Sequence, residues 1–153
     1  MYTRDETRQI RQAFWTAFGQ YMALHPSAEG EKVGWINYKT GIKHLYFKMD
    51  AGSHHASIAI EMAHPDAGIR ALMYEQFLPF RTLLHGMLGE EWDWSSEHQD
   101  AFGKTSARIG TELGGVSVFN RSDWPALISF FKPRMLVLDA FWTDAQYSFE
   151  LFR

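Results

Sequence analysis

Residues 44–61, HLYFKMDAGSHHASIAIE, decide the fold. Leu45, Phe47 and Met49 alternate with Tyr46, Lys48 and Asp50. Beyond the small, polar AGSH, Ala56, Ile58 and Ile60 alternate with Ser57, Ala59 and Glu61. A period of two on both sides of a turn describes two antiparallel strands with one face in a core. A four-residue turn at 51–54 pairs Asp50 with His55, Met49 with Ala56, Phe47 with Ile58 and Leu45 with Ile60, so that apolar meets apolar. The same register brings Glu61 opposite His44.

Working outward, VGWINYK (33–39) reads as a preceding strand that turns at Thr40-Gly41, which makes a three-strand meander. Its register places Asn37 beside His44 and Trp35 beside Tyr46. The outer face of the meander then presents Trp35, Asn37, His44, Tyr46, Lys48 and Glu61, a polar and aromatic candidate ligand-binding patch. His44 beside Glu61 also has the composition of a general base with its carboxylate.

Upstream, residues 3–24 carry a helical stripe of Ile10, Phe14, Ala17, Phe18 and Tyr21, with Thr3 and Glu6 spaced as a capping box. Downstream, Asp66 is placed to cap a helix over 67–88 that Pro79 should kink or break. EEWDWSSEHQDAFGKTSARIGTEL forms a second hairpin turning at 100–103, with Trp92 and Trp94 on one face near Thr111 and Ile109. GVSVFNR reads as a short extended piece. Ser122 is expected to cap a last helical region that Pro133 divides in two. The predicted fold is α+β, an antiparallel sheet (three-strand meander plus a second hairpin) packed with three long helices, order α-β-β-β-α-β-β-α, in a single domain over 1–153.

The chain of 153 residues is 46% hydrophobic and 16% aromatic, which fits a well-packed core and argues against disorder. It has no cysteine, so disulfides, thiolate metal sites and cysteine nucleophiles are excluded together. No apolar run approaches the roughly 20 residues that cross a bilayer, and the N-terminus is charged. The expectation is a cytoplasmic protein with no membrane association. A net charge of -3 disfavours general nucleic-acid binding. Charge is uneven, however. Lys32, Lys39, Lys43 and Lys48 run without an acid between, interleaved with Trp35, Tyr38 and Tyr46. Glu90, Glu91, Asp93, Glu97 and Asp100 run without a Lys or Arg between. The basic segment could stack and hold single-stranded nucleic acid, or pair with the acidic one of a neighbouring copy.

Motifs for chemistry are lacking. The seven histidines show no metal-binding spacing, and there is no phosphate loop and no nucleophile elbow. No cofactor and no metal are expected. The element order is shared with the core of PD-(D/E)XK nucleases, which gather an Asp and an (Asp/Glu)-x-Lys triplet around a divalent ion. Here Ala63 stands where that lysine would be. With Glu61 opposite His44, Asp50 lies six positions away, roughly 20 Å at about 3.3 Å per residue. The two carboxylates cannot share an ion whose ligands lie within about 2.6 Å.

FWTAFGQYM, PSAEG, WINYKTGIKHLYFKMD, HPD, LGEEWDW, GVSVFN and DWPALISFFKPR occur in this order along nearly the whole chain. Together they resemble an uncharacterised bacterial family, the domain of unknown function 4268. Pro79 departs from the helix former expected there. The resemblance implies an accessory role near DNA or RNA processing, since longer relatives join a similar domain to a nuclease-like one, and it carries over no catalytic residues. The function expected is a small binding or interaction domain without catalytic activity that self-associates, with a homo-oligomer or another protein as partner. The alternative is a nucleic-acid-associated accessory module with a degenerate nuclease-like fold.

Overall fold

The computed structural model describes residues 2–153. It has the expected α+β class, with four antiparallel strands and a helical layer. Helix α1 spans Arg4–Met22. Thr3 caps it, its Oγ1 accepting from the Glu6 N–H at 3.1 Å. Phe14, Phe18 and Met22 are its buried face, whereas Tyr21 stays exposed.

Strands β1 (Leu45–Ala51) and β2 (His55–Met62) form the first hairpin. β3 (Asp93–Gln99) and β4 (Thr105–Gly114) form the second. Gly103, at φ +80°, turns the chain between β3 and β4 in the left-handed region that glycine adopts without strain. The strand order is β1-β2-β4-β3, so β1 and β3 are the two edges. Trp94 faces Ile109, as the sequence predicts.

Several expectations are corrected. Residues 33–39 are not a strand. Their aromatic groups find partners off the sheet: the Trp35 indole N–H donates to the His25 carbonyl at 3.0 Å, and the Tyr38 hydroxyl to Asp139 at 2.5 Å. A tight turn closes over the start of β1 instead, where Thr40 Oγ1 donates to the Leu45 carbonyl and the Leu45 N–H to the Ile42 carbonyl. Second, the β1–β2 register is two residues further on: Leu45 faces Met62, Tyr46 faces Glu61, Phe47 faces Ile60 and Asp50 faces Ser57. The hairpin tightens to a turn in which the Gly52 N–H donates to the His55 carbonyl. Third, Pro133 does not divide the last helix. α4 runs unbroken over Trp124–Ala145 with Phe130, Phe131, Met135 and Leu138 buried on both sides of the proline. The Arg134 side chain donates to the Phe130 carbonyl at 2.9 Å, in the turn that a proline perturbs. Ser122 does not cap it: α4 starts without a side-chain cap, and the Asn120 side chain instead caps a 3₁₀ turn, Arg121–Asp123, that leads into it, accepting from the Ser122 N–H.

Pro79 breaks its helix as expected. α2 (Ala67–Phe77, capped by Asp66) passes through a 3₁₀ turn at Leu78–Phe80 into α3 (Arg81–Leu88). GVSVFNR is no strand. It crosses the tip of the first hairpin, where the Val118 N–H meets the Gly52 carbonyl. The helices cover one face of the sheet only. Leu45, Phe47, Ile58, Ile60, Met62, Ala107 and Ile109 bury against Phe77, Leu138 and Trp142.

Candidate functional site

The other sheet face is open, and the register arranges it in rows across the strands. One row is Tyr46, Glu61, Arg108 and Ser95. The next is Lys48, Ala59, Gly110 and Asp93, and the third begins Asp50, Ser57, Glu112. Lys48 Nζ lies 3.2 Å from Glu61 Oε1 and 6.0 Å from the centre of the Tyr46 ring. Of the six residues that the sequence nominated, the structure therefore gathers Tyr46, Lys48 and Glu61. Asn37 is exposed on the irregular segment before β1. Trp35 is in the core, 3% exposed.

His44 is not opposite Glu61. It precedes β1 with φ +68°, and its ring meets the His64 ring edge-on at 4.8 Å. Desolvation first, then His64 and the nearby lysines, holds its pKa below the ordinary histidine value. A His44–Glu61 acid–base pair is thus replaced by Tyr46–Glu61 neighbours, and Glu61 is tied to Lys48. Asp50 lies four positions from Tyr46, the partner of Glu61, so the two acids sit roughly 13 Å apart. Among the described residues no three His, Cys, Asp or Glu side chains are placed to hold one metal ion.

Arg108 is the residue that the sequence reading missed. It sits at the centre of the open face and makes no ion pair within 4.0 Å among the described residues. A Cβ built on Gly110 would lie 2.7 Å from its Nη1 and 2.8 Å from the Ala59 Cβ, so the guanidinium folds over the glycine and shields Ala59, which is 3% exposed. Nothing in the local sequence announces this, because it depends on β4 pairing with β2. Gly110→Ala is expected to lower stability by about 1–3 kcal/mol, the usual cost of forcing an extra methyl into a packed site. Thermal unfolding would measure it, and an unchanged midpoint would mean that Ala59 and Arg108 are not packed this closely.

Along the free edge of β1 runs a groove of about 650 Å³. Trp15, Ile36, Asn37 and Tyr38 stand on one side, Tyr46 to Met49 on the other. Tyr38 stacks on Phe47 at 5.0 Å and forms part of its floor. The four lysines of the basic run are exposed. Of the aromatics between them only Tyr46, at 43%, is well exposed.

The family model described as Domain of unknown function (DUF4268) matches residues 10–146. The chain belongs to this family. The match takes in both hairpins, the edge groove and all of α4, so the open face and the groove are parts of the DUF4268 domain itself. Comparisons with curated proteins and with solved structures found no match. Among the described residues no helix is long and apolar enough to cross a membrane.

Proposed function

We propose that this DUF4268 domain is a binding and interaction module without catalytic activity, and that it associates with itself. The observation that carries the reading is the one-sided helical layer. It leaves an entire sheet face of mixed charge, and a groove beside β1, available to a macromolecular partner. Tyr46 and Lys48 lie where that face meets the groove edge, Glu61 is bonded to Lys48 from the neighbouring strand, and Asn37 lines the groove; these are the residues proposed to touch the partner. Light scattering after size exclusion tests it: a mass above the 17.7 kDa monomer that rises with concentration is expected. A monomer at every concentration removes the self-association.

The second reading, a nucleic-acid-associated module, draws on the exposed Lys32, Lys39, Lys43 and Lys48. It is weakened by the inward placement of Trp35 and the engagement of Tyr38 with Asp139, because stacking on bases needs free aromatic faces. We expect the native chain and Lys43→Glu/Lys48→Glu to bind a single-stranded oligonucleotide equally weakly at low salt. Tight binding by the native chain that the double substitution abolishes would favour this second reading, since phosphate contacts are strongest there.

A further inference from the structure

We infer that the self-association proposed above is made by β1 pairing antiparallel with β1 of a second copy, about a two-fold axis at Met49. The inference rests on that proposal and names its surface.

The bonds that bracket the first hairpin, Ala63 N–H to His44 carbonyl and Gly52 N–H to His55 carbonyl, fix which residues of β1 face β2. Antiparallel ladders bond alternate residues, so Tyr46, Lys48 and Asp50 bond to β2. Leu45, Phe47, Met49 and Ala51 direct their N–H and C=O groups to the open edge. Leu45 is closed by the Thr40–Ile42 turn. Phe47 and Met49 have no hydrogen-bond partner among the described residues. The β1–β2 pairing is regular from Leu45 to Ala51, whereas the other edge, β3, carries a register irregularity between Ser95 and His98. A bulge of that kind guards an edge against pairing. β1 has no such guard.

A lysine on an edge strand ordinarily deters pairing as well. In β1, however, the charges mirror each other about Met49. With Met49 facing Met49 of the second copy, Lys48 faces Asp50 of the second copy and Asp50 faces its Lys48, both on the open sheet face. On the inner face Phe47 lies against Ala51, large against small. The register uses the odd-numbered residues whose backbone groups are unpaired, and the groove beside β1 receives the inward side chains of the added strand. Two four-stranded sheets become one of eight, closed by symmetry so that no further copy adds there.

The chain has no cysteine, so a single Met49→Cys substitution reports on this contact alone. Facing residues in a hydrogen-bonded antiparallel pair lie about 5.5 Å apart at Cα, inside the range that a disulfide spans. Mild oxidation is expected to convert Met49→Cys to a covalent dimer and to leave Gln99→Cys on β3 monomeric. Asp50→Lys is expected to weaken the dimer roughly tenfold or more, because two favourable cross-strand charge pairs become repulsive. Lys48→Asp should do the same alone, and a mixture of the two variants should restore dimers, since each chain then supplies the charges that the other lacks. Dimers that neither cross-link through Met49→Cys nor respond to Asp50→Lys would overturn this interface and leave self-association standing. A chain that is monomeric throughout would remove both.

Discussion

Asp139→Ala is expected to destabilise the fold by about 2–4 kcal/mol, the cost of leaving two polar groups without their acceptor. Asp139 is 4% exposed on α4. One of its oxygens accepts from the Tyr38 hydroxyl at 2.5 Å, the other from the Ala28 N–H at 2.7 Å. No regular structure holds residues 25–40 in place, and this carboxylate fastens them to α4 from two points. Tyr38→Phe should lose roughly 1–2 kcal/mol, and combining it with Asp139→Asn should cost less than the sum, because both changes remove one interaction. Urea unfolding measures all of these. A loss under about 0.5 kcal/mol for Asp139→Ala, the scale of ordinary surface changes, would show that the clasp does not hold this segment.

The same clasp has an alkaline signature. Burial first, and then the bond to Asp139, raises the Tyr38 phenol well above the usual tyrosine value of 10.0. The folded state thus holds this proton more tightly than the unfolded chain does. The associated stability is full below about pH 10 and is lost as the pH climbs further. In an alkaline absorbance titration one of the six tyrosines should ionise only as the protein unfolds, and Asp139→Asn should shorten that delay.

Glu90 and Arg134 carry the second large effect. Arg134 Nε and Nη2 donate to the two carboxylate oxygens at 2.9 and 2.7 Å, and the Trp92 indole N–H adds a third bond at 2.7 Å. The guanidinium also lies 4.5 Å over the Phe130 ring. The pair joins the approach to β3 to α4 beside Pro133. With both side chains less than a third exposed, Arg134→Ala should cost about 2 kcal/mol, between the values for exposed and fully buried pairs. Glu90→Gln should cost less, because the amide still accepts one bond. The Arg134 hydrogen bonds, helped by Trp92 and opposed by burial, hold the Glu90 carboxyl below its ordinary value of 4.5. The folded state therefore releases this proton more readily than the unfolded chain. Its contribution is present above about pH 4.5 and fades as acid protonates the folded form. The native protein and Glu90→Gln should accordingly differ in melting temperature at neutral pH and converge in acid. A constant difference across that range would detach the effect from this carboxylate. An acidic run that the sequence offers to a neighbouring copy is thus partly spent within the chain, since Glu90 is engaged by Arg134.

The sequence by itself determined the α+β class, the hairpin strands and their inward faces, the Asp66 cap and the break at Pro79. Each follows from periodicity or from chemistry within a few residues. It also placed Tyr46, Lys48 and Glu61 on one face. Side chains alternate with a period of two, so the two-residue error in register left every residue on its proper side. For the same reason the hydrophobic pattern could not detect the slip, and only the turn at Gly52–His55 resolves it. The tertiary structure alone decided that Trp35 and Tyr38 turn inward, because their partners, the His25 carbonyl and Asp139, lie about ten and one hundred residues away. It alone carried α4 through Pro133, where burial on both sides and the Arg134 bond to Phe130 outweigh one missing backbone bond. And it alone set β2 beside β4, which brought Arg108 to the centre of the open face and left β1 as an edge. Strand order is a matter of long-range pairing, on which local periodicity is silent.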